Sequence, residues 1–164
     1  MNAIDVRAMT ADQKESFHKE AEAKVQVLKY ASPHPANPRP KDVVRLGQTG
    51  LMTSLVQIVR DGGENNLHYH TNADTTWLVL RGRASFYGPG DVLLGEFGER
   101  EGILMPGGAR YWFEKAGAGD LEILQIVAKV PDAKSERINV DSHKDWMQSN
   151  DFLTVYASGD GKAK

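Results

Sequence analysis

The feature that most constrains this chain is a series of short strand-like segments between residues 42 and 130. Apolar residues alternate with polar ones or form brief continuous runs, and Gly-rich turns separate most of the segments. Alternation places every second side chain on one face of a strand, and regularly spaced short strands are typical of antiparallel sandwiches and barrels. The sequence therefore predicts an all-β fold. The segments are DVVRL, LMTSLVQIV, NLHYH, TTWLVL, RASFYG, DVLLGEF, GILMP, RYWFEK and LEILQIVAKV.

The residues that precede this strand-rich region have a different pattern. Thr10 followed by Gln13 fits a capping box, in which the two side chains satisfy free N–H groups at the start of a helix. Apolar residues then recur at helical spacing, which predicts one amphipathic helix over residues 11–28. Four prolines between residues 33 and 40 end the helix, because each fixes φ and lacks a backbone donor. We therefore expect residues 1–41 to form a helix and an extended, proline-rich arm.

A third segment begins at residue 131. It contains DSHKDWM, which predicts a short helix opening at Asp141 or Ser142, and then the apolar run DFLTVY. We expect residues 131–164 to form a tail that packs on the barrel or on a partner subunit. The β-barrel itself is assigned to residues 42–130, and no internal repeat divides it.

Composition excludes several classes of protein. The formal net charge of -2 comes from 20 Lys and Arg against 22 Asp and Glu, whereas a nucleic-acid-binding domain is usually strongly basic. The absence of cysteine excludes a disulfide framework, a thiolate zinc site and a cysteine nucleophile. No apolar run approaches the roughly 18 residues of a transmembrane helix. We therefore expect a cytoplasmic protein that binds neither nucleic acid nor membrane.

The most informative segment is GGENNLHYHTNADTTWLVLRG, at residues 62–82. In a strand, residues two apart point to the same face, so His68 and His70 project together. Two imidazoles on one strand suit a divalent metal ion as a pair of ligands. The His-x-His pattern alone is a weak signal, and the alternative is a half-exposed strand face that binds nothing.

Two motifs set this histidine pair in a wider pattern. The first motif consists of Gly62, His68, His70, Thr75 and Gly82, which are separated in turn by five, one, four and six residues. The second is the turn Pro106-Gly-Gly108, which leads to Tyr111 at the start of a strand. Together they resemble the two motifs of the cupin superfamily, over about residues 42–130. The resemblance implies a single-domain cupin, an all-β jelly-roll barrel also called a double-stranded β-helix, with an N-terminal helix and a short C-terminal tail.

The resemblance also implies a metal site, and this chain departs from it at two positions. Cupins of this pattern usually bind a metal ion with two histidines, a glutamate and the histidine of the second motif. His68 and His70 match, but Thr75 stands at the glutamate position and Tyr111 at the second histidine position. The family tolerates a spacing that makes Asp74 a candidate carboxylate ligand, although TNAD is also typical of a turn. The implied ligands for Fe, Mn, Ni or Zn are thus His68, His70 and Asp74, with Tyr111 as a catalytic phenol, a weak fourth ligand or a packed aromatic residue.

These residues imply a metal-dependent enzyme acting on a small organic substrate in the barrel, with dioxygenation as the reaction if the metal is Fe(II). The alternative is a non-oxidative isomerase, epimerase or lyase, in which a histidine takes a proton α to a carbonyl and Tyr111 returns one. A third interpretation is a non-catalytic cupin that holds a small ligand. Because cupins commonly pair through sheet edges and N-terminal arms, we also expect a homodimer.

Overall fold

The computed structural model describes residues 5–142 and 153–156. Each of the nine segments predicted between residues 42 and 130 contains a strand, so the all-β prediction is confirmed. The α-helix and the strands of the described residues are helix α1 (Ala11–Glu22) and strands β1 (Lys41–Gln48), β2 (Met52–Val59), β3 (His68–His70), β4 (Ala73–Arg81), β5 (Ala84–Tyr87), β6 (Leu93–Phe97), β7 (Gly102–Met105), β8 (Trp112–Lys115), β9 (Leu121–Lys129), β10 (Arg137–Asn139) and β11 (Leu153–Tyr156).

The strands of the described residues form three sheets. The largest has the order β11-β1-β2-β9-β4-β7, and two smaller ones have the orders β6-β5-β8 and β10-β3. Strands β1 and β11 are parallel, whereas the other pairs are antiparallel. The short β3 carries the histidine pair and lies between β10 on one side and Tyr111, just before β8, on the other.

Alternation along the strands positions the core. Thr75 and Trp77 on β4 are buried, while Thr76 between them is exposed. Trp77 packs against Phe86 of β5 and Phe113 of β8, with ring centroids between 4.8 and 6.1 Å apart. Such aromatic contacts contribute about 0.5–1.5 kcal/mol per pair beyond the area that they bury. The main core is thus an aromatic cluster shared by the six-stranded and three-stranded sheets.

Helix α1 begins as predicted and ends earlier. The capping box is present, since Gln13 N–H donates to Thr10 Oγ1 at 3.3 Å and Thr10 N–H donates to Gln13 Oε1 at 2.9 Å. The helix ends at Glu22 instead of residue 28. Beyond it, the Gln26 carboxamide bonds to both backbone groups of Gln48 at the end of β1, at 2.7 and 3.0 Å. The tertiary contact with β1 replaces the last turns that helical spacing predicted.

The segment after α1 lies against the large sheet. Tyr30 Oη donates to Glu122 Oε2 at 2.7 Å, and Ser32 Oγ donates to Glu122 Oε1 at 2.8 Å. Glu122 is a buried residue of β9 and also pairs with Arg81 of β4 at 3.3 Å. One carboxylate therefore fixes the N-terminal arm to two central strands.

The C-terminal segment adds two strands to the barrel, because β10 pairs with β3 and β11 pairs with β1. The short helix predicted from Asp141 or Ser142 lies mostly outside the described residues, and these two residues are not helical. None of the helices within residues 5–142 is long and apolar enough to cross a membrane.

Candidate active site

Strand β3 fixes the histidine pair side by side, as the two-residue spacing predicts. The imidazole rings of His68 and His70 lie with their centroids 5.2 Å apart and nearly perpendicular to one another. His68 is buried, whereas His70 is partly exposed. The Nδ1 atom of His68 lies 2.7 Å from the backbone oxygen of Asn66. Because a carbonyl oxygen only accepts, Nδ1 carries the proton and Nε2 keeps a free lone pair.

Tyr111 sits directly beside this pair. His68 and Tyr111 form an antiparallel bridge with both backbone hydrogen bonds, at 2.9 and 3.1 Å, and their ring centroids are 4.7 Å apart. The phenol is buried, and its oxygen accepts a hydrogen bond from Trp77 Nε1 at 3.3 Å. The residue at the position of the second-motif histidine thus lies against His68, the buried member of the histidine pair.

Burial and charge set the protonation states of these groups. Burial, together with the positive charge of Arg137, lowers the pKa of His68 to about 3, and the same two causes lower the pKa of His70. Burial raises the pKa of Tyr111 to about 12, although the bond from Trp77 and the charge of Arg137 act in the opposite direction. At neutral pH the site therefore presents a neutral imidazole at His68 and a protonated phenol at Tyr111.

The two other candidate positions on β4 have opposite orientations. Asp74 is exposed, and its Oδ1 accepts a hydrogen bond from the backbone N–H of Gly107 at 2.8 Å. Thr75 points inward, and its buried hydroxyl has no hydrogen-bond partner among the described residues. It lies close enough to Tyr111 to act on the pKa of the phenol. The structure thus brings His68, His70, Thr75 and Tyr111 together and leaves Asp74 on the opposite face.

Arg137 is a site residue that sequence reasoning assigned only to the tail. Antiparallel pairing of β10 with β3 places Arg137 opposite His70 and Asn139 opposite His68. The Arg137 guanidinium donates to Asn66 Oδ1 at 2.5 Å and to Asn139 Oδ1. Its charge acts on His68, His70 and Tyr111 alike. The three-residue strand is too short for a periodic signal, so only the strand pairing brings Arg137 to the site.

The donor set of this site differs from what a resident divalent metal ion needs. Among residues 5–142 and 153–156, no group of three or more His, Asp, Glu or Cys side chains is arranged to hold a metal ion. The two imidazoles supply neutral nitrogen ligands, but the inward position expected of a carboxylate holds a threonine, and Arg137 adds a positive charge beside the pair. The described residues therefore do not form a complete metal-ligand set.

Comparison with known proteins identifies the fold. No family model and no curated protein matches the chain. A conserved protein with a double-stranded β-helix domain from Klebsiella pneumoniae is similar in structure, with a TM-score of 0.52, 17% identity, and coverage of 65% of this chain and 90% of that one.

Two further structures are similar over much of the chain. KdgF from a Halomonas species has a TM-score of 0.51 and 12% identity, over 62% of this chain and 91% of its own. The cupin domain of Cnp3 from Schizosaccharomyces pombe has a TM-score of 0.51 and 12% identity, over 57% of this chain and 67% of its own. The barrel thus has the double-stranded β-helix fold, as the resemblance of the two motifs implied.

Proposed function

We propose that this chain is a non-oxidative cupin enzyme that moves a proton on a small carbonyl compound, as an isomerase, epimerase or lyase does. The observation that carries the proposal is the bridge between His68 and Tyr111, which sets the phenol and imidazole ring centroids 4.7 Å apart, with His70 next to His68 on the same strand. A base and an acid that reach the same substrate are the minimum that such a reaction requires.

The protonation states support separate roles for these groups. Tyr111 stays protonated at neutral pH because burial raises the pKa of its phenol to about 12. The bond from Trp77 occupies one lone pair of the phenol oxygen and leaves the O–H proton free to be donated. Tyr111 is therefore the proposed acid.

His70 is the proposed base, because it is the more exposed of the two imidazoles and so the one that substrate reaches from outside. Its neutral ring takes the proton from the carbon next to the carbonyl, and the electron pair of the broken C–H bond forms the enolate. Tyr111 then gives its proton to the enolate oxygen or carbon. His68, held by the Asn66 carbonyl at 2.7 Å, fixes the position of Tyr111 through the backbone bridge.

The test is exchange of the α-hydrogens of simple carbonyl compounds into deuterated water, followed by proton NMR. The panel contains both neutral ketones and oxo acids. Removing one acid or base from such a site usually costs about 10²–10⁴-fold in rate, so we expect His70→Gln and Tyr111→Phe each to lose at least about a hundredfold. Tyr87→Phe is the matched control, because Tyr87 donates to Glu114, away from the histidines. Equal exchange by the wild type, His70→Gln and Tyr111→Phe would overturn the proposal.

The second candidate is the metal-dependent enzyme, with dioxygenation as its reaction, that the motifs imply. One observation favours it: the carbonyl of Asn66 holds the Nδ1 proton of His68 and leaves Nε2 available, as in many metal-bound histidines. Its test is elemental analysis of the purified protein and of protein incubated with Fe(II), Mn(II), Ni(II) or Zn(II). Near-stoichiometric metal that is lost in His68→Ala/His70→Ala would favour this candidate. Metal at background level under all four conditions would eliminate it.

A further inference from the structure

Arg137 places a positive charge beside the proposed acid and base, and no carboxylate of residues 5–142 or 153–156 forms an ion pair with it. Its guanidinium donates instead to the neutral side-chain oxygens of Asn66 and Asn139. An exposed guanidinium with free N–H groups is available to bind an anion from solvent.

The guanidinium is held in a fixed orientation. Asn66 is buried, and its Nδ2 donates to Asn139 Oδ1 at 3.2 Å and to the backbone oxygen of Asp141 at 3.1 Å. The backbone oxygen of the same Asn66 accepts from His68. One asparagine therefore orients both the cation and the buried imidazole, so little side-chain freedom is lost when a ligand binds.

Among the described residues, no carboxylate acts on the pKa of Arg137, whereas the Tyr111 phenol does. The buried Thr75 hydroxyl lies beside that phenol. Within the described part of the chain, Asn66 and Asn139 take two of the five N–H donors of the guanidinium and leave three. Two coplanar N–H groups suffice to bind a carboxylate. Arg137 is itself exposed, so a ligand can reach it from solvent.

We propose that Arg137 binds a carboxylate group of the substrate, and that the ligands of this site are small organic acids. The inference rests on the proposed function only in naming the bound acid as a substrate. The anion site itself follows from the pairing of β10 with β3 and from the hydrogen bonds of Arg137. In this arrangement the carboxylate lies against the guanidinium, and the neighbouring carbon faces His70 and Tyr111.

The experiment is calorimetric titration of the full chain with malonate, with inorganic phosphate and with malonamide, which has the shape of malonate without its charge. We expect malonate to bind and malonamide not to bind. Arg137→Gln should weaken malonate binding at least tenfold, and Arg137→Lys, which keeps the charge and loses the planar fork, should give an intermediate loss. Arg45→Gln is the matched control, since Arg45 is an exposed residue of β1 and pairs with Leu55 of β2.

Each outcome either supports or overturns the inference. Equal binding of malonate to the wild type and Arg137→Gln, no binding to the wild type, or tighter binding of phosphate than malonate would overturn it. Thermal unfolding of Arg137→Gln, compared with that of Arg137→Lys, separates loss of the site from loss of the fold. The wild type distinguishes the two proposals: malonate binding without proton exchange on any compound of the panel supports the anion site and contradicts the catalytic role. Exchange on neutral ketones without malonate binding contradicts only the anion site.

Discussion

His68 is a neutral imidazole inside a core, and its burial makes the stability of the fold depend on pH. The pKa of its ring is about 3 when folded, against an ordinary value of 6.5. Since the folded pKa is depressed, the unfolded chain binds more protons below pH 6.5. The free energy of unfolding is therefore not reduced by this group above pH 6.5, and it decreases progressively as the pH falls from 6.5 towards 3. The expected loss reaches at most about 1.4 kcal/mol per pH unit for this one proton.

Urea unfolding at pH 7, 5.5 and 4.5 measures this dependence. We expect the decrease in the free energy of unfolding to be smaller in His68→Gln, which has no titrating ring. His18→Gln is the control, because His18 is exposed on α1. A wild type and a His68→Gln variant with the same pH slope would show that the buried imidazole is not responsible.

The residues of the site differ in how far the sequence could predict them. The pairing of His68 and His70 needs only the two-residue period of a strand. Asp74 and Thr75 differ by one position, and a shift of one residue reverses the face of a strand, so spacing alone did not determine which one points inward. Arg137 reaches the site only through the pairing of β10 with β3, a contact between residues that are far apart in sequence.

At the level of elements, the contact between β4 and β7 determines where Trp77, and hence Tyr111, is held. Gly102 of β7 pairs with Leu78 of β4, and a Cβ atom at Gly102 would lie 1.9 Å from the backbone oxygen of Trp77. We therefore expect Gly102→Ala to separate the two strands and to cost roughly 1–3 kcal/mol, as overpacking usually does. The intrinsic fluorescence of the chain should change as well, because Trp77 lies in the displaced backbone.

The matched control is Gly50→Ala, since a Cβ atom at Gly50 would meet nothing within 4 Å. Chemical denaturation of both variants gives the comparison. If Gly102→Ala and Gly50→Ala prove equally stable, β4 and β7 are not held at the distance described here.

Elements with long periodic patterns were predicted best from the sequence. The alternating and continuous apolar runs between residues 42 and 130 located all nine strands there, because most of them bury one face against the core. The start of α1 was predicted from a local capping box. The end of α1 was not, because Gln26 bonds to the backbone of Gln48, and helical spacing carries no information about that distant contact.

For the whole molecule, the sequence motifs predicted the double-stranded β-helix barrel and left the oligomeric state open. The homodimer stays a prediction, which light scattering checks by a molar mass of about twice the 18.1 kDa of the chain. The N-terminal segment was expected to be an arm laid on the barrel or on a partner. In the single chain it already contacts its own sheet through Tyr30 and Ser32.

Glu122 holds the N-terminal arm against the barrel, so that we expect the two to resist proteolysis together. Its two carboxylate oxygens accept from Tyr30 and Ser32 at 2.7 and 2.8 Å, and Arg81 pairs with the same group. Removing the acceptor leaves the partly buried Tyr30 hydroxyl without its partner, at a cost of about 1–3 kcal/mol. We expect Glu122→Ala to free the arm and to raise the rate of trypsin cleavage after Lys29 several-fold, while the barrel survives as a protected fragment.

The control is Glu99→Ala, in an exposed turn, which trypsin should cleave at the wild-type rate. Unchanged cleavage after Lys29 in Glu122→Ala would mean that other contacts hold the arm, and whole-barrel digestion would mean that arm and barrel unfold together.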